Sequence, residues 1–308
     1  MDVASSFVLL DELGPCPVCG TTAEPRPLLV RDERALVGCR ACGVAWSHPL
    51  PSEEELAAYY ASDEGWVRRG KPPKPGALMK RAARRLARKH AKYGRHYELL
   101  REHLDAPAGR PRRVLDFGCA SGWYLDLLAA DGWETYGVEP SPEGQVAAQR
   151  HRLLTEVEPG LDVDLLLLNH VVEHLRDPVA TLRPLAAATR PGGRVFVSVP
   201  SLEALPEHGS LGYVWSDLHV FAYTFAGLRS LLAACGFGEP ERLDGPEWED
   251  VARPGGLRVL ARRTDAPVEP PADPLEPALR ALRAYAPEHE THEARRRARK
   301  VSGVTEPR

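Results

Sequence analysis

The segment Val114–Leu125 constrains the fold more than any other part of the chain. Its letters, VLDFGCASGWYL, describe an apolar run, a turn of small residues and the start of an amphipathic stretch. Glycines such as Gly118 and Gly122 let the backbone turn sharply and let a ligand approach it, and a helix that starts there offers free N–H groups. This is the ligand-binding corner of an open α/β sheet. The segment therefore predicts a strand, a ligand-binding turn and a helix in succession.

Residues 110–263 continue this alternation of short apolar runs with amphipathic stretches, which is typical of a parallel α/β sheet. We expect strands at 113–117, 135–139, 163–169 and 194–199, a short strand near 153–157, helices at 121–130, 142–150, 178–189 and 225–234, and a closing hairpin of 241–244 with 257–262. The predicted fold class is α/β, with a doubly wound, Rossmann-like sheet of seven strands.

An acidic residue ends the second predicted strand. Glu139 follows Asp116 by 23 residues. An acid in this place suits a bidentate hydrogen bond to the hydroxyls of a ribose. The turn and this acid together predict a nucleotide-like ligand.

The turn resembles the D-x-G-x-G-x-G motif of class I S-adenosylmethionine-dependent methyltransferases, with an alanine in place of the middle glycine. Similar stretches follow in the family's order, at Gly137–Ser141, Asp164–Pro178, Arg190–Pro200 and Leu228–Phe237. The resemblance implies that S-adenosylmethionine is the cofactor and that Asp116, Gly118, Ala120 and Gly122 line its methionine and ribose. It also implies that Glu139 holds the ribose and that Asn169 lies beside the cofactor. No adenine contact is predicted.

Methyl transfer is an in-line displacement, so the enzyme mainly positions the acceptor, and a base helps when the acceptor is a hydroxyl or a carbon acid. Histidine is suited to this task at neutral pH, and the candidates are His170, His174, His208 and His219. Asp217–Phe221 resembles the D-E-H-V-F stretch of deoxysugar C-methyltransferases, which makes His219 the first candidate base. Leu218 replaces the glutamate of that stretch, which puts sugar C-methylation in doubt. The alternative role of His219 is that of a structural histidine at a helix entry.

The sequence His170-Val-Val-Glu173-His174 has three interpretations. H-x-x-E-H is a zinc protease motif when it lies within a helix, whereas here it is expected at a strand end. Ubiquinone-pathway O-methyltransferases have E-x-x-E-H in the same place, which resembles a divalent-cation site, with His170 where they have the first glutamate. The favoured interpretation is that Glu173 and His174 shape the start of the next helix. His174 is nevertheless the second candidate catalytic residue.

Four of the six cysteines form two C-x-x-C pairs, Cys16 with Cys19 and Cys39 with Cys42, separated by 19 residues. This spacing is that of a four-cysteine zinc ribbon, and the glycine after each pair allows the tight turn that aims both thiolates at one ion. Four thiolates complete the coordination shell, so the predicted zinc is structural. A ribbon followed by a stretch such as Trp46–Tyr60 is similar to bacterial methyltransferases of sugar and secondary-metabolite pathways.

Charge suggests what the acceptor is. Between Gly65 and Tyr97 the chain has 12 lysines and arginines and no acid, although its formal net charge is −3. A basic lid helix would suit a small anionic acceptor such as a nucleotide-linked sugar or a secondary metabolite. The same residues would suit RNA in an RNA methyltransferase that grips phosphate with helix and ribbon; nucleic acid is not the favoured partner. A cofactor-dead binding or scaffold protein is the non-enzyme alternative, and a solvated helix face is the simplest interpretation of the charges.

The expected organisation is a zinc ribbon in residues 1–50, a helical linker or lid with the basic helix in 51–105, the methyltransferase domain in 106–264, and a proline-rich segment, a short helix near 275–285 and a basic tail in 265–308. No apolar run is long enough to span a membrane, and the acidic N-terminus does not resemble a secretory signal. We therefore expect a cytoplasmic protein.

Overall fold

A computed structural model describes residues 13–22, 25–31, 34–56, 88, 90, 94–104, 109–141, 143–158, 160–208, 211–244, 248 and 255–285. The strands, in chain order, are β1 (Arg26–Arg31), β2 (Arg34–Gly38), β3 (Ala45–His48), β4 (Arg113–Phe117), β5 (Glu134–Val138), β6 (Arg152–Leu153), β7 (Val163–Asn169), β8 (Thr189–Pro200), β9 (Phe221–Ala222), β10 (Glu241–Arg242) and β11 (Gly256–Arg262). The helices are α1 (Trp123–Ala130), α2 (Gly144–Ala147), α3 (Pro178–Ala188), α4 (Leu205–His208), α5 (Leu211–Val214) and α6 (Phe225–Ala234). Residues 53–56, 94–102 and 276–285 are also helical.

The larger sheet has seven strands in the order β10-β11-β8-β7-β4-β5-β6. β4 pairs in parallel with both β5 and β7, and β11 runs antiparallel to β8 and to β10. The chain therefore adds strands on one side of β4 and then crosses to its other side, which creates the switch point where open α/β sheets bind ligands. The predicted doubly wound, seven-stranded Rossmann-like sheet is confirmed.

The central strand β7 shows why this sequence forms a sheet covered on both faces. Its residues Val163–Leu168 are all buried, and neighbouring leucines point to opposite faces. Leu166 packs into one apolar cluster, whereas Leu165 and Leu167 pack into the other. A run that is apolar at nearly every position is what a doubly covered parallel strand requires.

Capping residues set several helix ends. The Asp177 side chain accepts a hydrogen bond from the backbone N–H of Ala180 at 2.8 Å, and Pro178 occupies the first turn of α3. Earlier in the chain, Ser52 and Glu55 form the two reciprocal hydrogen bonds of a capping box. Ser52 is therefore the residue at which the short helix 53–56 begins.

Several predicted elements differ in length from the observed ones. The strand expected at 194–199 runs from Thr189 to Pro200, because the Gly192 N–H donates to the Arg263 carbonyl and the Arg263 N–H donates to the Gly193 carbonyl, which keeps the preceding turn in the sheet. The helix expected at 142–150 is regular only over Gly144–Ala147, and tight turns follow it. The strand expected near 153–157 is the two-residue β6.

The smaller sheet has the order β1-β2-β3-β9, and its strands pair antiparallel. β1 to β3 come from the N-terminal ribbon, whereas β9 belongs to the segment after the large sheet's fifth strand in chain order, β8. The ribbon thus shares a sheet with the rest of the molecule, and the domain boundaries given above stay a prediction. Within the described residues no helix is both long and apolar enough to cross a membrane.

Candidate active site

The glycine turn after β4 is tied to the neighbouring strand. The backbone N–H groups of Gly118 and Cys119 donate to the carbonyl of Val138 at 2.8 and 3.2 Å. Gly118 has φ +84°, and a Cβ there would lie 2.7 Å from Cγ2 of Val171. Glycine is therefore required at this position for its conformation and also for space.

Ala120 and Glu139, predicted as cofactor residues from different parts of the sequence, meet directly. The N–H of Ala120 donates to Oε2 of Glu139 at 2.8 Å, and the N–H of Ser141 donates to Oε1 at 2.8 Å. Two main-chain donors thus fix the carboxylate, and each oxygen keeps a lone pair for a ligand hydroxyl. Ala120 adopts φ +47°, a left-handed conformation that the middle glycine of the D-x-G-x-G-x-G motif would adopt without strain.

Asp116 and Asn169 end neighbouring parallel strands and so lie at the same edge of the sheet. Asp116 is buried and is in register with Gly137 of β5 and Leu167 of β7. Asn169 is half-buried and is in register with Ser198 of β8. The structure therefore brings the six predicted cofactor residues to one edge, around the switch point.

A cavity of about 520 Å³ opens beside Glu139. Its lining combines apolar and small residues: Val138, Glu139, Pro140, Ser141, Gly144, Gln145, Ala148, Leu153, Leu154 and Thr155. Leu153 to Thr155, which end and follow the two-residue strand β6, are not among the site residues predicted from the sequence. The signal for them was weak, since only an apolar pair, Leu153-Leu154, marks the place where β6 ends.

His174 and His219, the two candidate catalytic residues, lie side by side. Their rings meet edge to face with centroids 4.7 Å apart. Nδ1 of His174 bonds the carbonyl of Leu218 at 3.1 Å, and Nδ1 of His219 bonds the carbonyl of Tyr213 at 2.5 Å. Because a carbonyl can only accept, Nδ1 carries the proton in each ring and Nε2 is the proton-accepting atom.

Glu173 is buried beside the two rings, with a carboxylate oxygen within 4.8 Å of a nitrogen of each. His170 bonds its Oε1 through Nδ1 at 3.1 Å, and Oε2 has no hydrogen-bond partner in the described part of the chain. Burial alone would raise the pKa of Glu173, but the bond from His170 and the charges of His170, His174 and His219 outweigh it and lower that pKa. Burial, reinforced by the charge of His174, lowers the pKa of His219 to about 4. The site thus combines an ionised carboxylate with a neutral imidazole.

The structure separates the interpretations of the H-x-x-E-H sequence. Val172–His174 form a 3-10 turn just after β7, so the motif does not lie within an α-helix and the protease interpretation is excluded. Asp177 is the N-cap of α3, and Glu173 and His174 lie in the 3-10 turn before it, so the interpretation that they shape the start of this helix stays a prediction. The side chain of His208 lies outside the described residues, as does most of the predicted basic helix.

The four ribbon cysteines come together as predicted. Sγ of Cys16 lies 3.6 Å from Sγ of Cys42, the same distance separates Cys19 from Cys39, and all four sulfurs lie within 4.8 Å of one another. Gly20 and Gly43 adopt φ +70° and +74° at the two turns, and their N–H groups bond the carbonyls of Cys16 and Cys39. Four convergent thiol sulfurs are the donor set that a tetrahedral zinc ion takes.

A family model described as a methyltransferase domain matches residues 80–238, slightly more than half of the chain. The chain belongs to this family. The predicted membership of the class I S-adenosylmethionine-dependent methyltransferases is thereby confirmed, and the family's matched region contains the glycine turn, Glu139 and both candidate catalytic histidines.

Curated relatives resemble only part of the chain. The ubiquinone biosynthesis O-methyltransferase of Aeromonas salmonicida (strain A449) is 31% identical over 101 residues, which are 28% of this chain and 42% of that protein. The protein of the same name from Xanthomonas axonopodis pv. citri (strain 306) is 30% identical over 125 residues, 36% of this chain and 51% of that protein. The chain thus spans about half, or less, of the length of these relatives.

Solved structures also resemble the molecule. The 1,6-didemethyltoxoflavin-N1-methyltransferase of Burkholderia thailandensis, with bound 1,6-didemethyltoxoflavin and S-adenosylhomocysteine, has a TM-score of 0.44 and 24% identity, covering 78% of this chain and 100% of that one. An S-adenosylmethionine-dependent methyltransferase of Archaeoglobus fulgidus has a TM-score of 0.44 and 19% identity, and the match covers 56% of this chain and 97% of that one.

Proposed function

We propose that the protein transfers a methyl group from S-adenosylmethionine to an oxygen or carbon atom of a small biosynthetic acceptor. The observation that carries this proposal is the pair of main-chain bonds that hold Glu139 at the switch point, next to a cavity of about 520 Å³. A carboxylate fixed in this way can accept two ribose hydroxyls, and the apolar walls of the cavity can cover an adenine ring.

The residues of the cofactor half bind S-adenosylmethionine and orient it. Glu139 accepts the ribose hydroxyls, Leu153 and Leu154 line the adenine side, and the turn at Gly118 lets the ligand approach the backbone. Asp116 and Asn169 complete the methionine side. When bound, S-adenosylmethionine supplies a methyl group on a positively charged sulfur, ready for in-line displacement.

The acceptor half handles the proton. His219 takes the proton of an acceptor hydroxyl or carbon acid on Nε2, because its Nδ1 is committed to the Tyr213 carbonyl. His174, the second catalytic candidate, stands edge-on to it, and Glu173 stabilises the positive charge that develops on the pair. The relatives named as O-methyltransferases favour a hydroxyl acceptor.

A divalent cation offers a second way to ionise a hydroxyl, since ligand atoms of Glu173, His174 and His219 lie within 4.8 Å of one another. A cation on Nε2 of His219 would leave that atom unable to accept a proton, so the two mechanisms exclude each other. Turnover that survives removal of divalent cations by chelation supports the base, and turnover restored by added Mg²⁺ or Mn²⁺ supports the cation.

Zinc in the ribbon is part of the same proposal. Cys16, Cys19, Cys39 and Cys42 would hold one structural ion, with no open coordination position for chemistry. Elemental analysis should find about one zinc per chain, and the Cys16→Ser, Cys19→Ser variant should lose it.

Calorimetry with S-adenosylhomocysteine tests the cofactor half directly. The parent should bind it, and Glu139→Ala should weaken binding by about 2–3 kcal/mol, on the scale of lost hydrogen bonds to a charged group. Glu156→Gln is a matched control, since Glu156 is exposed in the segment after β6. A folded parent that does not bind S-adenosylhomocysteine would refute the enzyme and support the scaffold alternative.

The acceptor class needs a separate experiment. Transfer of a labelled methyl group to nucleotide-linked sugars, to phenolic hydroxyl compounds and to bulk RNA compares the favoured acceptors with the nucleic-acid alternative. Label on a small molecule is the expected result. Salt-sensitive labelling of RNA alone would overturn the small-molecule assignment.

A further inference from the structure

The ribbon reaches the acceptor side of the site through one strand. β3 follows Cys42 in the ribbon and pairs with β9, so that Ala45 lies opposite Ala222 and Trp46 opposite Phe221. The pairing continues one residue further, since the N–H of Ser47 donates to the carbonyl of Val220 at 2.8 Å. Val220 directly follows His219, and the loop that carries this histidine therefore ends in the ribbon's own sheet.

A second bond fixes the same loop four residues before His219. The indole Nε1–H of Trp215 donates to the hydroxyl oxygen of Ser47 at 2.7 Å. Ser47 is completely buried and Trp215 is only 3% exposed. A buried indole N–H that lost its acceptor would be left unpaired away from water, so this bond strongly favours one placement of the loop. Ser47 thus binds the chain on both sides of His219.

The loop's placement decides the orientation of the imidazole. Nδ1 of His219 is held by the carbonyl of Tyr213, two residues before Trp215, and the N–H of His219 donates to Oγ of Ser216 at 3.2 Å. A displacement of Trp215 moves the chain that supplies both partners. The ribbon side is in turn a short hairpin whose turn contains Cys39 and Cys42, where Gly43 approaches Gly227 of α6 so closely that a Cβ on Gly227 would lie 2.8 Å from the Gly43 carbonyl oxygen.

We propose that Ser47 and Trp215 are positioning residues, through which the N-terminal ribbon holds the loop 213–220 so that His219 keeps its Nδ1–H tautomer and presents Nε2 to the acceptor. The inference rests on the proposed function in assigning the acceptor to His219. It gives the ribbon a part in the reaction although none of its residues touches the reacting atoms.

The test follows the tautomer of His219 in the full-length, zinc-containing protein. Nitrogen-15 NMR distinguishes a ring protonated on Nδ1 from one protonated on Nε2, and loss of the signal in His219→Gln assigns it. The parent should show the Nδ1–H form. Ser47→Ala and Trp215→Phe should both shift the signal towards the Nε2–H form that unconstrained imidazole prefers, and the double variant should go no further than either single variant.

Arg34→Ala is the matched control. Arg34 and Asp217 join the same two segments by an ion pair of 2.9 Å, but the Asp217 side chain is 84% exposed. Loss of this ion pair should therefore leave the His219 signal unchanged. Affinity for S-adenosylhomocysteine should stay within about twofold of the parent in all variants. A parent-like His219 signal in both Ser47→Ala and Trp215→Phe would overturn the proposal. A loss of affinity for S-adenosylhomocysteine in these two variants as large as the change in the His219 signal would also overturn it.

Failure of this proposal and failure of the proposed function would be seen in different measurements. Failure of the parent to bind S-adenosylhomocysteine would refute the methyltransferase, whereas the tautomer of His219 is measured without cofactor, acceptor or turnover.

Discussion

The cofactor side and the acceptor side of this site are assembled in different ways. The ribose-binding carboxylate of the cofactor side is held locally: main-chain groups of one turn and of the next strand end bind Glu139, all within Asp116 to Ser141. The acceptor side joins His174, His219 and Ser47 from three distant segments. A local site depends on backbone conformation, so it survives damage elsewhere, whereas an assembled site fails when any contributing segment moves.

Removing the ribbon's metal ligands should give the largest difference between the two sides, because it should abolish the function of the acceptor side and spare that of the cofactor side. Structural zinc contributes about 10–16 kcal/mol to the folding of small zinc modules, so Cys39→Ser, Cys42→Ser should unfold the ribbon and release the loop around His219. We expect turnover to disappear while S-adenosylhomocysteine still binds. Hydrogen exchange should rise in peptides covering 34–48 and 211–223 and stay unchanged in 113–140. Loss of cofactor binding would contradict the independence of the two sides.

His219→Ala should leave the fold intact and remove the base. General base catalysis contributes about 10²–10⁴-fold, so turnover should fall by that factor while affinity for S-adenosylhomocysteine is unchanged. His103→Ala is the control, because His103 pairs with Glu241 of the edge strand β10 and is not one of the histidines of the site. Steady-state kinetics with the identified acceptor provides the measurement, and full activity in His219→Ala would refute its assignment.

A pair of glycine substitutions measures how much the stability of the cofactor turn depends on its left-handed backbone conformation and how much on the space beside it. Gly118 and Gly132 have nearly the same φ, +84° and +80°, but a Cβ would collide with Val171 only at Gly118. Gly132→Ala should cost about 1–2 kcal/mol of unfolding free energy for the left-handed conformation alone. Gly118→Ala should cost about 1–3 kcal/mol more because of the collision, and should also weaken cofactor binding. Equal effects in urea denaturation would show that the turn has room to relax.

The acceptor side should contribute a weaker signature, in the pH dependence of stability. The pKa of His219 is lowered from 6.5 to about 4, chiefly by burial. Between these pH values the unfolded chain binds a proton that the folded chain does not, so stability should fall as the pH decreases from about 6.5 to about 4. His219→Gln should reduce this loss. Denaturant midpoints measured across the range check the sign, and an unchanged slope would place His219 nearer to solvent.

Much of the fold could be predicted because its signals are local. β4, β7 and α6 begin and end where the apolar runs Arg113–Phe117, Val163–Asn169 and Phe225–Ala234 do. Burial on both faces makes nearly every position of such a strand apolar, and turns and caps mark its ends. The extension of β8 back to Thr189 could not be predicted, since its Pro-Gly-Gly sequence is kept in the sheet by bonds to Arg263, the residue after the distant strand β11.

The candidate site divides in the same way. The sequence by itself determined the glycine turn, Glu139 and the four cysteines, because each depends on a fixed spacing within a short segment or on a residue type that alone can do the chemistry. Only the tertiary structure placed Leu153 and Leu154 beside the cavity at Glu139, Glu173 beside two histidines, and the ribbon's Ser47 against Trp215. These contacts depend on crossovers between strands and on the pairing of β3 with β9. Ser47 and Trp215 are 168 residues apart in the sequence, and no local pattern encodes a contact over such a separation.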